Sequence, residues 1–406
     1  MRGAGDRFTV GERVAFYRRR RGLTQGVLAG LVGRSEDWLS KIERGERELR
    51  KVDLLVEIAG YLKVTVGDLL GQPVLLEDED PEAQDIPAVR DALMSPRRLS
   101  RVLFARRGDT AVVPRHVAVF AEQTWSDFQS GRIGLVVKAL PGLIESAQAL
   151  EELDEPASRW AVSARIHHLA ASTLSKIGES DLAWLAAERA MHAADRSADP
   201  LVLASAARAG THALLAAGRY EEAIELGSSA AEWLRQDMIA DDPSAISLLG
   251  MLHLRVGVAA ARHDDRSTAN DHLRLAEELA DILDGDGNYW QTAFGPTNVR
   301  LHQVSIALDL GDVAYVVDHA DDVDTTAVPV ERGACHRIDM AKALSLVAED
   351  ERALAFLLEA EGQAPQLVRH SATVRQTVKA LQRRAPSTGQ ASSPLMALAE
   401  RCRAVG

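Results

Sequence analysis

Six short turn-and-restart segments punctuate the C-terminal part of the chain: Gly131 (Gly-Arg-Ile-Gly), Gly178 (Gly-Glu-Ser-Asp-Leu-Ala), Gly218 (Gly-Arg-Tyr-Glu-Glu-Ala), Asp264 (Asp-Asp-Arg-Ser-Thr-Ala), Gly311 (Gly-Asp-Val-Ala) and Asp350 (Asp-Glu-Arg-Ala-Leu-Ala). The intervals are 47, 40, 46, 47 and 39 residues. Between these breaks the sequence is rich in Ala and Leu, poor in aromatics and without β-branched alternation, so helices fill the spacing. A helix of about 15–20 residues, a turn and a shorter second helix fit each interval, the period of a helical-hairpin solenoid. One hairpin cannot bury its apolar face alone, so residues 114–406 are expected to stack into an array.

Within that array, Ala217-Gly218-Arg219-Tyr220-Glu221-Glu222-Ala223 resembles the turn of a tetratricopeptide repeat, where Gly leaves the first helix and Ala packs against a neighbour. The intervals exceed the roughly 34 residues of that repeat, so the array is tetratricopeptide-like. The resemblance implies that the first helix of each pair lines a concave surface. On one of these helices Asn298, His302 and Ser305 fall at i, i+4 and i+7, beside Arg300. Related positions hold Arg165, His168, Arg208 and His212. A polar stripe of this kind is either a hydrated face or a ligand surface. In peptide-sensing regulators with such arrays, Asn side chains clamp a ligand backbone, which makes Asn298, with Arg300 and His302, the candidate effector contacts.

At 406 residues the chain exceeds one ordinary core. Its charge is uneven: residues 1–72 carry 14 Lys+Arg against 10 Asp+Glu, whereas residues 73–406 carry 33 against 49. A basic head on an acidic body suits a head that meets phosphates. In the head, Val10, Val14 and Tyr17 predict a helix over 9–21 with Arg13, Arg18 and Arg20 outward. Leu23, Val27, Leu28 and Leu31 predict the buried face of a second helix capped by Thr24, with Gln25 in its first turn. Small Ala29 permits close helix approach, and Gly33 ends the helix. Ser35 is an N-cap for a third helix, with Leu39 and Ile42 inward and Ser35, Glu36, Asp37, Ser40 and Lys41 exposed. Glu36 and Asp37 either favour the helix dipole or accept from cytosine N4. Leu54, Leu55, Ile58, Ala59 and Leu62 mark a fourth helix, and Val66, Leu69 and Leu70 a fifth.

The run LTQGVLAGLVGRSEDWLSKIERGERELRKVDLLVEIAGYLKVTVGDLLG resembles the Xre-type (lambda-repressor-like, Cro/C1-type) helix-turn-helix domain of bacterial regulators, and GRSEDWLSKIERGER is similar to actinobacterial members. That resemblance implies DNA contacts by Gln25 at the start of the second helix and by Ser35, Glu36, Asp37, Ser40 and Lys41 on the third. Arg34 and Arg44 flank this set. Arg18 and Arg20, from the basic run ending the first helix, are candidate phosphate contacts or a solvated helix end. Gly26 and Gly30 depart from the pattern, each costing about 1 kcal/mol relative to Ala in a helix.

Pro73, Pro81, Pro87 and Pro96 with the acidic run Glu77-Asp78-Glu79-Asp80 mark residues 73–113 as a linker, with a short helix at 86–94. Cys335 and Cys402 stand at no metal-ligand spacing, so no metal site, disulfide framework or cofactor is expected. No window reaches about 18 apolar residues, so no membrane span is expected and a cytoplasmic protein is. No phosphate loop, nucleophile elbow, His-Glu-x-x-His or dinucleotide fingerprint occurs, and no enzyme is expected. The expectation is thus an all-α chain: a five-helix lambda-repressor-like DNA-binding domain at 1–72, the linker, and a tetratricopeptide-like solenoid at 114–406. It would act as a homodimeric transcription regulator that binds double-stranded operator DNA and senses a peptide, small molecule or protein. The alternative is a protein-interaction scaffold with a secondary DNA-binding head.

Overall fold

The computed structural model describes residues 9–20, 23–47, 49, 52–62, 69, 86–99, 103, 112–153, 157–237, 242–283, 285–319, 323–385 and 393–404. The chain divides into two compact units, Met1–Pro87 and Ala88–Gly406. Every regular element among the described residues is helical.

In the first unit α1 (Val10–Arg20), α2 (Gln25–Leu31), α3 (Glu36–Glu43) and α4 (Val52–Leu62) surround a core of Val14, Leu28, Leu39, Ile58 and Leu62. Thr24 Oγ1 accepts from Val27 N at the start of α2, and Ser35 Oγ from Trp38 N at the start of α3. Each replaces a backbone partner that a helix start lacks. Gly33, between them, sits at φ +62°, the left-handed backbone that glycine adopts without strain.

One detail differs from expectation. Val27 and Leu31 are 49% and 43% exposed; the inward edge of α2 is Leu28 and Ala29, continued by Val32. Two turns of helix present only a narrow edge to the core, so an apolar stripe one position wider remains outside. Of the fifth helix only Leu69 is described, helical and fully buried; Val66 and Leu70 lie outside the described residues.

The second unit opens within α5 (Ile86–Leu93), at Ala88, and continues through six hairpins among the described residues. These are α6 (Pro114–Gln129) with α7 (Ile133–Glu152), α8 (Ser158–Lys176) with α9 (Ser180–Ser197), and α10 (Pro200–Ala216) with α11 (Tyr220–Asp237). They continue with α12 (Pro243–Arg262) and α13 (Arg266–Ile282), α14 (Pro296–Asp309) and α15 (Val313–Asp318), and α16 (Val330–Leu346) and α17 (Asp350–Gln363). Three shorter helices follow: α18 (Pro365–His370), α19 (Ala372–Arg384) and α20 (Pro394–Arg401). Each of the six sequence breaks falls inside a hairpin. Gly131, Gly178, Gly218, Asp264 and Gly311 all have positive φ there; in the sixth turn Ala348 holds it, two residues before Asp350. The second helix is the shorter one in four of the six hairpins; the exceptions are α7, with 20 residues against 16 for α6, and α11, with 18 against 17 for α10.

The linker region contributes to this unit: the Arg189 side chain donates to the Leu93 carbonyl, Arg90 pairs with Glu179, and Arg98 Nη1 lies 2.9 Å from Glu151. The first and sixth hairpins also meet, because α6 contacts α16 and a Cβ at Gly131 would lie 2.9 Å from that of Ala364. The array therefore turns back on itself instead of leaving an open trough. Contrary to the sequence expectation, α7 and α12 are long and apolar enough to cross a bilayer by length and composition. Both are packed as hairpin helices, and 89% of the apolar window of α12 is buried in the unit. An apolar helix buried on most sides is what the middle of such an array requires.

The interior is rich in histidine. Burial, the main cause throughout, pushes His167, His253, His336 and His370 down to about 4, and His168, His212 and His302 well below their ordinary value. These groups stay neutral when folded but take up protons when unfolded below about pH 6.5. Their contribution is complete above that pH and is lost as pH falls toward their folded values. The melting temperature of the chain is expected to drop steeply between about pH 6.5 and pH 4.5, with net proton uptake on unfolding; a flat profile there contradicts this reading of the core. In the head, a Cβ at Gly11 would overlap the Ile42 carbonyl, whereas one at Gly30 meets nothing within 4 Å. Gly30→Ala should stabilise the head by about 0.5–1 kcal/mol and Gly11→Ala should destabilise it, as read by amide exchange in α3.

Candidate nucleic-acid interface

The exposed side of α3 is built by its cap and its inward stripe. With Leu39 and Ile42 buried and Ser35 fixing the start, Arg34, Ser35, Glu36, Asp37 and Arg44 are exposed, while Ser40 and Lys41 are half-buried beside them. Lys41 Nζ lies 2.7 Å from Asp37 Oδ2 one turn earlier. That contact, with desolvation opposing it, holds the Asp37 carboxyl below its ordinary range. The Arg44 Nε donates to Ser40 O at 3.4 Å and its Nη2 sits 3.3 Å from Glu46. The Arg34 guanidinium stands 5.8 Å from the Trp38 ring centre. The result is a polar front with both signs of charge, able to donate and accept at base edges.

Behind this front lies an interaction absent from the sequence reading. Glu43, buried at the end of α3, receives Arg18 Nε at 2.5 Å and Nη2 at 2.8 Å, and Gln25 Nε2 at 2.7 Å. The Arg18 Nη1 also donates to the Leu23 carbonyl at 2.8 Å. One carboxylate thus ties the end of α1, the start of α2 and the end of α3, and the arginine it receives also holds the loop after α1. The hydrogen bond to Glu43 is the main reason the Arg18 guanidinium is held above its ordinary value.

Arg18 is accordingly a correction: expected outward and on a phosphate, its side chain is 9% exposed and committed to Glu43. The amide nitrogen of Gln25 is likewise engaged, while Arg20 closes α1 with a side chain outside the described residues. Spacing held the missing signal. Arg18 is four residues after Val14 and Glu43 four after Leu39, so each continues a buried stripe, where a charge requires a partner. Gly26 also has a local reason, since a Cβ there would lie 3.1 Å from the Glu36 carboxylate where α2 and α3 begin side by side.

The candidate effector residues do not share a surface. Asn298 is 0% exposed; its Nδ2 contacts the Thr292 carbonyl at 3.4 Å and Met251 Sδ at 3.5 Å, and its Oδ1 is buried without a partner. Arg300 is exposed. His302, 4% exposed with Nδ1 2.8 Å from Asn298 O, borders a cavity of about 400 Å³. The helix spacing is as expected; the open concave face is not, because the returning array and the loop 285–295 cover it. Of the related positions, Arg165 pairs with Glu122 and packs on Trp290, His168 bonds Ser205 at 2.9 Å, and Arg208 and His212 face the interior.

Residues 9–70 match a family of proteins described as helix-turn-helix domain. No curated protein matches the chain in sequence. Two solved structures are similar to it. One is the crystal structure of Bacillus thuringiensis PlcR in complex with the peptide PapR7 and DNA, 17% identical, covering 68% of this chain and 95% of that one, with a TM-score of 0.31. The other is the SHP pheromone receptor Rgg2 of Streptococcus dysgalactiae, 9% identical, covering 87% of this chain and 98% of that one, with a TM-score of 0.22. Both scores are too low to establish a shared overall arrangement.

Removing one partner of the buried pair leaves the other charge uncompensated. Arg18→Met should therefore cost the head about 3 kcal/mol in amide protection of α3, and adding Glu43→Leu should restore much of it. Unchanged protection in the single variant would show that Glu43 does not hold the domain together.

Proposed function

We propose that this chain is a DNA-binding transcription regulator. Its helix-turn-helix head, within residues 1–72, reads an operator through the front of α3, and residues 73–113 connect it to a tetratricopeptide-like body at 114–406. The supporting observation is the exposed set Arg34, Ser35, Glu36, Asp37 and Arg44, with Ser40 and Lys41 half-buried beside them, on a helix whose far end is locked by Glu43. A rigidly held helix with a free polar start can enter a major groove without reorganising. Gln25, its nitrogen shared with Glu43, acts in this reading by orienting α3 as well as by reaching a phosphate.

A single short helix buries little surface against DNA. Two heads on neighbouring half-sites combine their binding through effective concentration, so the reading includes a homodimer formed by the body, working in the cytoplasm. The body senses an effector, which alters regulation only by favouring one arrangement of the dimer over another.

The test is a gel shift with DNA from upstream of its own gene across a salt series. Binding should weaken steeply as salt rises, and Lys41→Ala should weaken it and reduce the salt slope by about one. Glu36→Ala should instead change base preference. Absence of salt-sensitive binding would replace this reading with that of a protein-interaction scaffold.

A further inference from the structure

The acidic body conceals a basic interior. From the first helices of the second, third, fourth and sixth hairpins, Lys176, Arg208, Arg255 and Arg332 line one small space, and Glu331 is the only carboxylate among the described residues lining it. Lys176 already takes that carboxylate, its Nζ 2.5 Å from Glu331 Oε1. Among the described residues, none of the three guanidiniums forms an ion pair of its own. Among the described residues the Arg208 side chain, in a residue 6% exposed, hydrogen-bonds only with His168 Nε2 at 3.3 Å and the Trp290 carbonyl at 3.5 Å. Arg255, 9% exposed, makes no side-chain hydrogen bond or ion pair with any described residue. The Nε atoms of all three arginines are buried and unbonded. Burial first, then neighbouring cations, push Arg255 down to about 9 and Arg208 to about 10.

A folding core does not need such a cluster, because buried charges stabilise only when matched. Forked guanidiniums with free N–H groups match carboxylate or phosphate oxygens. The small space shares Lys176, Arg255 and Arg332 with the cavity of about 400 Å³, whose wall also includes Leu215, Val258 and Leu301. That volume lies in the range of small-molecule sites, roughly 300–1,000 Å³. The loop carrying Gln291, Thr292 and Ala293 closes one side, with Trp290, Gln291 and Ala293 all at positive φ. Strained non-glycine backbone of this kind concentrates at ligand clamps.

We propose that this interior is the effector site of the body and takes a small amphiphilic organic anion, its carboxylate or phosphate head held by Arg208, Arg255 and Arg332 and its apolar part lying against Leu215, Val258 and Leu301. The inference deepens the sensing role proposed above, but its test contains no DNA, so a failure of operator binding leaves it standing.

Full-length protein is titrated with n-octyl phosphate, octanoate and neutral n-octanol, followed by calorimetry and melting temperature. At least one of the two anions should bind and raise the melting temperature, and which one does so identifies the head group; octanol should not. Arg255→Met and Arg332→Met should each weaken anion binding by about tenfold or more, the loss expected for a charge-assisted contact, while Arg274→Gln on the exposed face of α13 retains it. Ligand-free Arg255→Met should melt no lower than the parent, because it removes an unmatched buried charge. As a measurement on the unaltered protein, n-octyl phosphate or octanoate, whichever binds, should slow alkylation of Cys335, which borders the cavity. Equal binding of octanol, anion binding unaffected by both Met variants, or Cys335 alkylation unchanged by either anion would each overturn the proposal.

Discussion

No hairpin in the body can cover its own apolar face, and that constraint organises everything else in the unit. Each pair is buried by the next, so stability is passed along the array, and the terminal pairs would be left with uncovered sides. Here the sixth hairpin returns to the first, with α16 against α6 and Gly131 close to Ala364. The turn-back removes an exposed apolar end and, as a consequence, converts the inner wall of first helices into an interior. Polar side chains that would be wetted in an open trough are enclosed instead. That is why His302 is 4% exposed, and why burial holds seven histidines below their ordinary value.

The head solves a different problem with one buried carboxylate. Its helices are short, so packing alone fixes their angles weakly, and three hydrogen bonds to Glu43 add direction to contacts that are otherwise non-directional. The same arrangement withdraws Arg18 from the surface. On the α3 front the described cations are Arg34, Lys41 and Arg44, and Lys41 is shared with Asp37. A phosphate approaching Lys41 competes with that carboxylate. The α3 front is therefore less basic than its residue count implies.

Much of this was legible in the sequence because the signals were local. Ser35 and Thr24 announced helix starts through chemistry contained within three residues, and the six hairpin turns followed from breaks in an otherwise helical composition. The misses all involve partners distant in the chain. Nothing near Arg18 indicates Glu43, which lies 25 residues later. Nothing near Asn298 indicates that its helix is covered by a loop and by the return of the array. Helical periodicity tells which residues share a face, but not whether that face meets water, and so the stripe of Asn298 and His302 was located correctly and its surroundings were not.

The unmatched arginines set the direction in which a ligand would act. Without an anion, Arg208, Arg255 and Arg332 repel one another in a medium that screens poorly, so the ligand-free body carries a strain that any relaxation separating hairpins two, three, four and six would relieve. With an anion bound, the same groups pull those hairpins together. The two conditions favour different spacings of the first helices, which is the differential affinity a switch requires. The loop bearing Trp290 and Gln291 is positioned to register the change, since Gln291 reaches both Arg165 on α8 and Glu122 on α6. A neutral ligand of the same shape leaves the three guanidiniums unmatched, so by the same reasoning it gains little from the site and does not draw the hairpins together.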